Sequence, residues 1–353
     1  MSVVSMPNLP IDVDRLRRWM DDKGLAGAPI TDFKLLTGGT QNILVRFQQE
    51  DRCYVLRRPP MHPRAESNET MRREARVLKA LAASGVPHPA IIAVCEDTEV
   101  LGAVFFIMEA IDGFNALGDG LPPLHASDPS IRHRMGLAMV DAIAALGQLD
   151  PQSLGLADLG KPERFLERQV QRWRKQLDGY AAFTEWPGPA ALPHVDTVGA
   201  WLEAHRPAQG AVGLMHGDYH LANVMFRHDG PELAAVIDWE MATQGDPLLD
   251  LGWLLATWPR GDEPEGQLLR LRPWSGFPTP AQLVARYGQQ SPRDITAIRW
   301  YAVLACYKLA IVLEGTYARA CAGHAPKAAG DQLHRQAVSL LGRAVEWIEG
   351  GSL

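Results

Sequence analysis

One part of the chain carries residue types whose spacing suits a specific chemistry. In Leu214-Met215-His216-Gly217-Asp218-Tyr219-His220-Leu221-Ala222-Asn223 a carboxylate is followed five positions later by an amide. Fifteen positions past Asn223 a second carboxylate stands in Val236-Ile237-Asp238-Trp239-Glu240. That layout suits phosphoryl transfer. Transfer from ATP passes through a loose transition state with charge spread over the phosphoryl oxygens. Magnesium neutralises such charge and takes hard oxygen ligands, which Asn223 and Asp238 would supply. A third group must orient the acceptor hydroxyl and receive its proton, and Asp218 is spaced for that role.

These residues need elements to hold them. Residues 12–22 have helical spacing, with Val13, Leu16, Trp19 and Met20 apolar and Gly24 as a stop. The next stretch reads as strand, glycine turn, strand, turn, strand: Phe33 to Leu36, then Thr37-Gly38-Gly39-Thr40-Gln41-Asn42, then Ile43 to Phe47 and Cys53 to Arg57. Residues 68–83 form a helix with Met71, Ala75, Leu78 and Leu81 on one stripe and Asn68 as its expected cap. Residues 91–94 and 104–108 read as two more strands. After Met108 the texture changes. Residues 112–130 are rich in Gly, Pro and Asp and read as loop. Helices are expected at 131–148, 162–178 and 196–206, short strand-like pieces between Leu214 and Trp239, and mostly helix from Pro247 onward. The expected fold is α+β and two-lobed. A smaller lobe at 1–110 holds a sheet and one main helix, and a larger helical lobe covers 111–353.

Composition limits the function classes. The 353 residues are 46% hydrophobic and 22% charged, ordinary for a globular protein with a large core. The net charge of −6 argues against nucleic acid as the main partner. Cys53, Cys95, Cys306 and Cys321 form no CxxC pair, so they read as reduced and structural, in keeping with a cytoplasmic setting. The first residues lack the basic and apolar regions of a signal peptide. No apolar run of about 20 residues suggests a membrane span.

His216-Gly217-Asp218, with Asn223 and Ile237-Asp238-Trp239-Glu240, resembles the aminoglycoside phosphotransferase family, a branch of the protein-kinase-like fold. The resemblance runs along nearly the whole chain. It implies that Asp238 takes the place of the kinase DFG aspartate and that residues Gly38, Gly39, Thr40 and Asn42 belong to the nucleotide loop. Backbone N–H groups in such a loop can cap phosphate oxygens. The resemblance further implies that Arg57 stands where kinases have lysine, with Glu74 as its helix partner, and that Met108, Glu109 and Ala110 form the hinge against which adenine lies. His216 is then expected to brace the catalytic loop by hydrogen bonds, as its kinase counterpart does. An arginine offers two forked donors where lysine offers a point charge.

Val55-Leu56-Arg57-Arg58-Pro59 is similar to the branch whose members are fused to, or encoded with, acyl-CoA dehydrogenases. That likeness implies a hydroxyacyl-CoA acceptor and a functional link to such a dehydrogenase. The candidates for acceptor contact are Arg168, Arg172, Trp173, Tyr219 and Glu240. Arg168, Arg172 and Lys175 would share a helix face that suits phosphate groups, although a solvated basic face with one buried tryptophan explains the same pattern. Asp246 and Asp250 in Asp246-Pro247-Leu248-Leu249-Asp250-Leu251-Gly252 read as structural carboxylates under the catalytic loop. Trp239 flanks the acidic residues, and Glu240 is a secondary candidate for magnesium. Lys308 and Glu314 stand on a helix that reads mainly as core, with reach to the acceptor pocket as the less favoured reading of their charged ends. Two rival readings stay open: a kinase for an aminoglycoside, choline-like or homoserine-like alcohol, and a non-catalytic ATP-binding pseudokinase.

Overall fold

The computed structural model describes residues 9–25, 27–36, 42–208, 210–260 and 269–353. Gly38, Gly39 and Thr40, to which a phosphate role was assigned from sequence, lie outside the described residues. The chain divides into two compact units. One is Met1–Gly113 with Ala234–Glu240, and the other is Phe114–Leu233 with Met241–Leu353.

In the first unit Asp12 caps helix α1 (Val13–Asp22), its side chain accepting from the N–H groups of Asp14 and Arg15 at 3.0 Å. Strands β1 (Thr31–Leu36), β2 (Ile43–Gln49) and β3 (Arg52–Arg58) follow. Then come α2 (Ser67–Leu81), β4 (Ile91–Cys95), a single turn of helix α3 (Thr98–Leu101) and β5 (Phe105–Glu109). The five strands make one antiparallel sheet in the order β1-β2-β3-β5-β4. Strand alternation sends Val45, Phe47, Leu56, Phe105 and Ile107 to one face, where they pack with Leu16, Trp19 and Met20 of α1. The Trp19 and Phe105 rings meet edge to face at 4.8 Å. Arg57 lies opposite Leu44 and Phe106 in the register. One residue past Leu56, its side chain leaves the other face. Glu74 of α2 is buried there, on a helix that also buries Met71, Ala75 and Leu78.

Two local expectations are corrected. Asn68 does not cap α2, which begins at Ser67; its Oδ1 instead accepts from Val104 N at 3.0 Å and ties the helix to the sheet. A helical turn stands at Thr98–Leu101, where no element was anticipated. Asp97 caps it through Glu99 N at 2.9 Å, and so short an element shows no periodicity to read.

The second unit begins with α4 (Pro123–Ser127), α5 (Pro129–Gly147), α6 (Gln169–Gly179) and α7 (Val195–Ala204). Short strands β6 (Gly213–Met215), β7 (Val224–Phe226), β8 (Leu233–Val236) and β9 (Thr243–Gly245) come next; β8 starts in this unit and ends in the first. Helices α8 (Leu248–Thr257), α9 (Pro280–Gln290), α10 (Ile298–Cys321) and α11 (Lys327–Ile348) complete it. α4 interrupts the stretch read as loop. It opens on Pro123, where a missing N–H costs nothing because the first helical N–H groups have no partner anyway. β6 pairs antiparallel with β9.

α10 is the centre of this unit and packs on α11, α8, α7 and α6. By length and composition it is apolar enough to cross a membrane, which the sequence reading did not anticipate. Seventy-two per cent of its apolar window is buried inside the structure, so packing against neighbouring helices accounts for the pattern. α8 meets it closely: a Cβ on Gly252 would stand 2.6 Å from the Tyr301 carbonyl oxygen, so only glycine fits. Cys53, Cys95, Cys306 and Cys321 are all free thiols.

Candidate active site

The loop after β6 carries the first cluster, entirely within the second unit. Gly217 has φ +84°, a left-handed turn that glycine adopts without strain. Asp250 of α8 holds this turn from below, accepting from His216 N at 2.6 Å and Gly217 N at 2.9 Å. Burial pushes the Asp250 carboxyl upward, against the pull of His216 and of these two N–H groups. Asp246 accepts from Tyr301 Oη at 2.7 Å and from Leu248 N at 3.2 Å. Both aspartates are thus structural, as expected. His216 is fully buried, and its Nδ1 accepts from Asp218 N at 3.3 Å, the bracing role implied by its kinase counterpart.

Asp218 presents two carboxylate oxygens in different surroundings. Oδ1 accepts from Trp253 Nε1 at 2.9 Å and lies 3.4 Å from His220 Nε2. His220 Nδ1 accepts from Ala222 N at 3.1 Å, which puts its proton on Nε2, toward Asp218. Oδ2 accepts only from Asn223 Nδ2, at 3.1 Å, among the described hydrogen bonds. The same amide nitrogen donates to the Asp218 carbonyl at 2.9 Å. Burial works against ionisation of Asp218. The hydrogen bond and electrostatic pull of His220, with His216 and Lys308 beyond it, outweigh burial and hold the carboxyl well below the usual range. Asn223 spends its nitrogen on Asp218, which leaves its Oδ1 for a cation.

The second cluster lies within the first unit. Arg57 Nε donates to Glu74 Oε2 at 2.9 Å. Arg57 Nη2 donates to Asp238 Oδ1 at 2.7 Å and reaches Glu240 Oε2 at 3.4 Å. Asn42 Nδ2 donates to the same Glu240 oxygen at 2.8 Å. Desolvation opposes the charge on the buried Arg57, but Glu74, Asp238 and Glu240 raise its pKa above the ordinary arginine value. Burial pushes the Glu74 carboxyl up and Arg57 pulls it back. A lysine has one nitrogen and could not serve Glu74 and Asp238 through separate groups, whereas the guanidinium fork does so and still leaves Nη1 without a described partner. Asp238 has φ +64°, a region costly for most residues with a side chain and less so for aspartate. Trp239 beside it is 1% exposed and donates to Val236 O at 2.8 Å. It anchors the turn from inside the core and does not line a cleft.

The remaining expected positions fare differently. Tyr219 is no acceptor contact: it is fully buried, and its hydroxyl donates to Met139 O of α5 at 2.9 Å. Arg168, on the 3-10 turn that leads into α6, and Arg172 within that helix have different partners, Arg172 lying over the Trp173 ring. Arg168 donates to Lys161 O and lines a surface groove of about 410 Å³ with Arg164, Glu167, Gln171, Glu203 and Arg206. The carboxylates of Glu167 and Glu203 pair with Arg164 and Arg206 there. Trp173 is buried at 5% exposure, with Arg172 5.1 Å from its ring. In the expected hinge, Glu109 N donates to Ala90 O at 2.9 Å and Ala110 N to Cys53 O at 3.1 Å, so both N–H groups are already spent inside the unit. Met108 pairs with Val55 and Ile91 in the sheet.

Sequence reasoning missed Trp253, the direct donor to Asp218, and preferred a core helix for Lys308 over reach to the acceptor pocket. Lys308 Nζ donates to Gly217 O at 3.2 Å and sits 4.2 Å from the Trp253 ring. A signal for Trp253 existed: it lies three residues after Asp250 on α8, hence on the same helix face as the carboxylate under the loop. For Lys308 the hint was a cation in the apolar middle of α10, between Tyr301 and Leu313. Among the described residues no three His, Cys, Asp or Glu side chains cluster as a metal site.

A family model described as phosphotransferase enzyme family, APH, matches residues 32–283. Acyl-CoA dehydrogenase family member 10 of Mus musculus is 31% identical over 336 residues, 92% of this chain and 30% of that protein. The chain spans about a third of the length of the curated relatives it matches. A crystal structure from Ralstonia eutropha, assigned as an aminoglycoside phosphotransferase, matches with a TM-score of 0.80 at 30% identity, covering 97% of this chain and 100% of that one. Aminoglycoside phosphotransferase APH(4)-Ia, in a ternary complex with ADP and hygromycin B, shares the fold at a TM-score of 0.54 and 17% identity, over 91% of this chain and 98% of that one. With a family model across most of its length and a solved relative at this identity, the chain belongs to the phosphotransferase enzyme family and is a small-molecule O-phosphotransferase of protein-kinase-like fold.

Proposed function

We propose that the protein moves the γ-phosphoryl group of ATP, with magnesium, to the hydroxyl of a hydroxyacyl-CoA. The observation that carries the reaction is the asymmetry of Asp218. Oδ1 is engaged by Trp253 and His220, while Oδ2 has only Asn223 among the described residues. Oδ2 therefore keeps a lone pair for an acceptor hydroxyl, and the carboxylate cannot rotate without breaking both sets of contacts. A carboxyl held this far down is a weak base in the ground state. It orients the nucleophile and receives the proton as the bond to phosphorus forms, which suits a loose transition state.

The residues fit the nucleotide and the ion. Asn223 Oδ1 and Asp238 Oδ2 are hard donors without a described partner. Magnesium commonly takes one or two protein oxygens and completes its shell with phosphate and water. A bound magnesium ion would neutralise charge on the transferring group. Arg57, fixed by Glu74, offers Nη1 to a phosphate oxygen, and Asn42 is oriented through Glu240. The ADP complex of APH(4)-Ia supports nucleotide use by this fold. The hydroxyacyl-CoA acceptor rests on the likeness to the acyl-CoA dehydrogenase family member over 92% of this chain. A retained Asp218, Asn223 and Asp238 disfavour the pseudokinase reading.

An ATP-consumption screen with magnesium across hydroxyacyl-CoAs, aminoglycosides and amino alcohols tests the proposal. Turnover confined to hydroxyacyl-CoAs is expected. Turnover with aminoglycosides or amino alcohols instead would refute the acceptor, and no turnover with any of them, joined to no thermal stabilisation by Mg-ATP, would refute the reaction.

A further inference from the structure

Lys308 is an ammonium with unspent donors beside the carboxylate proposed to orient the acceptor. It stands on α10, part-buried, with Nζ 4.2 Å from the Trp253 ring centroid and 5.4 Å from that of Trp173. Its one described hydrogen bond goes to Gly217 O, at 3.2 Å, the carbonyl of the residue directly before Asp218. An ammonium has three N–H bonds, so two are left. Trp253, whose face carries the cation, donates with its edge to Asp218 Oδ1 at 2.9 Å. Cation, indole and carboxylate thus form one row, and Arg172 over the far indole of Trp173 continues it at 5.1 Å.

Such a cation is costly. Burial draws the Lys308 pKa down to about 8, with Asp218 and Asp250 opposing and Arg172 adding to the fall. Two tryptophan faces return part of the cost, but a methionine or leucine would pack between indoles with none of it. The two free N–H bonds need an acceptor that the described residues do not supply.

We propose that Lys308 is a specificity-determining residue of the acceptor site, holding an oxygen of the acceptor next to the hydroxyl that Asp218 orients. The matching class is a compound that carries a carbonyl or carboxylate oxygen near its hydroxyl, a hydroxyacyl group. Amino alcohols and polycationic sugars lack that oxygen and bring a like charge to Lys308 and Arg172. The inference deepens, and rests on, the reading that Asp218 orients an acceptor hydroxyl.

The test compares the unmodified protein with Lys308→Met and Lys308→Arg. Calorimetry measures binding of hydroxyacyl-CoA thioesters of graded hydroxyl position, the corresponding free hydroxy acids, and ethanolamine, in the presence of Mg-ADP. Steady-state kinetics with Mg-ATP gives KM and kcat for the same compounds, and melting temperature confirms that each variant is folded. Loss of a charged hydrogen bond should weaken hydroxyacyl binding and raise its KM about tenfold or more in Lys308→Met. Lys308→Arg should keep most of the affinity, and ethanolamine should bind poorly to all three. Thioesters that depend on Lys308 more than free acids assign the oxygen to the thioester carbonyl, and the reverse assigns it to a carboxylate. Equal hydroxyacyl affinity in Lys308→Met and the unmodified protein overturns the inference, as does preferential binding of ethanolamine. Lys308-dependent binding without phosphoryl transfer would sustain the inference and sink the reaction, whereas transfer with an unchanged KM in Lys308→Met would do the opposite.

Discussion

Trp253 donates its indole N–H to Asp218 Oδ1 at 2.9 Å, from a helix that also carries Asp250 under the same loop. The carboxylate is therefore oriented by a side chain that is itself 6% exposed and packed in the core. A group aimed in this way needs no reorganisation when an acceptor arrives. Trp253→Phe keeps most of the packing and deletes the donor. We expect kcat to fall about tenfold, with the KM for ATP little changed, as read by steady-state kinetics.

Asp218→Asn removes the proton acceptor and the charge but preserves the shape. Activity should fall by about two to four orders of magnitude. Mg-ATP should still raise the melting temperature, because the Arg57 cluster is untouched. Near-normal turnover in this variant would remove Asp218 from the mechanism.

Arg57 and Glu74 form a buried pair at 2.9 Å, with side chains 8% and 2% exposed. Removing one partner strands the other charge. Arg57→Met should cost about 3–5 kcal/mol in urea denaturation. The double change Arg57→Met with Glu74→Leu should recover much of that stability and none of the activity. A phosphate-binding role without a structural one would leave the single variant as stable as the unmodified protein.

Lys308 carries a pH signature. Its folded pKa of about 8 lies below the ordinary 10.5, so between these values the unfolded chain binds more protons than the folded one. Stability from this group is complete above about pH 10.5 and is lost as pH falls through about 8. Asp218 and Asp250 face the ammonium and oppose the effect, while Arg172 adds to it. The melting temperature of Lys308→Met, measured relative to the unmodified protein, should therefore be higher near pH 7 than near pH 10. A difference that does not change with pH would mean that Lys308 titrates normally.

Much of this protein was legible in its amino-acid order. Alternation in β2 and β3 and the apolar stripes of α1 and α2 are local patterns, set by the pleat and by 3.6 residues per turn, and the elements stand where those patterns place them. The spacing of Asp218, Asn223 and Asp238 stood out in the sequence because the proposed chemistry asks for those residue types within a short span. The pairing of Arg57 with Glu74 was anticipated from the family likeness, and the fold places them 2.9 Å apart.

Other features belong to tertiary structure alone. Tyr219 follows Asp218 directly in sequence, yet the loop turns it into the core to bond Met139. Arg168 turns to Lys161 O and a surface groove while Arg172 lies against the Trp173 ring, a divergence that helical spacing does not show. Trp253 and Lys308 are 35 and 90 positions from Asp218 in the chain. They reach its loop because α8 and α10 pack closely across Gly252. Sequence spacing encodes neighbours within a helix or strand. Which helices meet, and which polar atom each buried side chain must satisfy, depends on the packing of the whole unit.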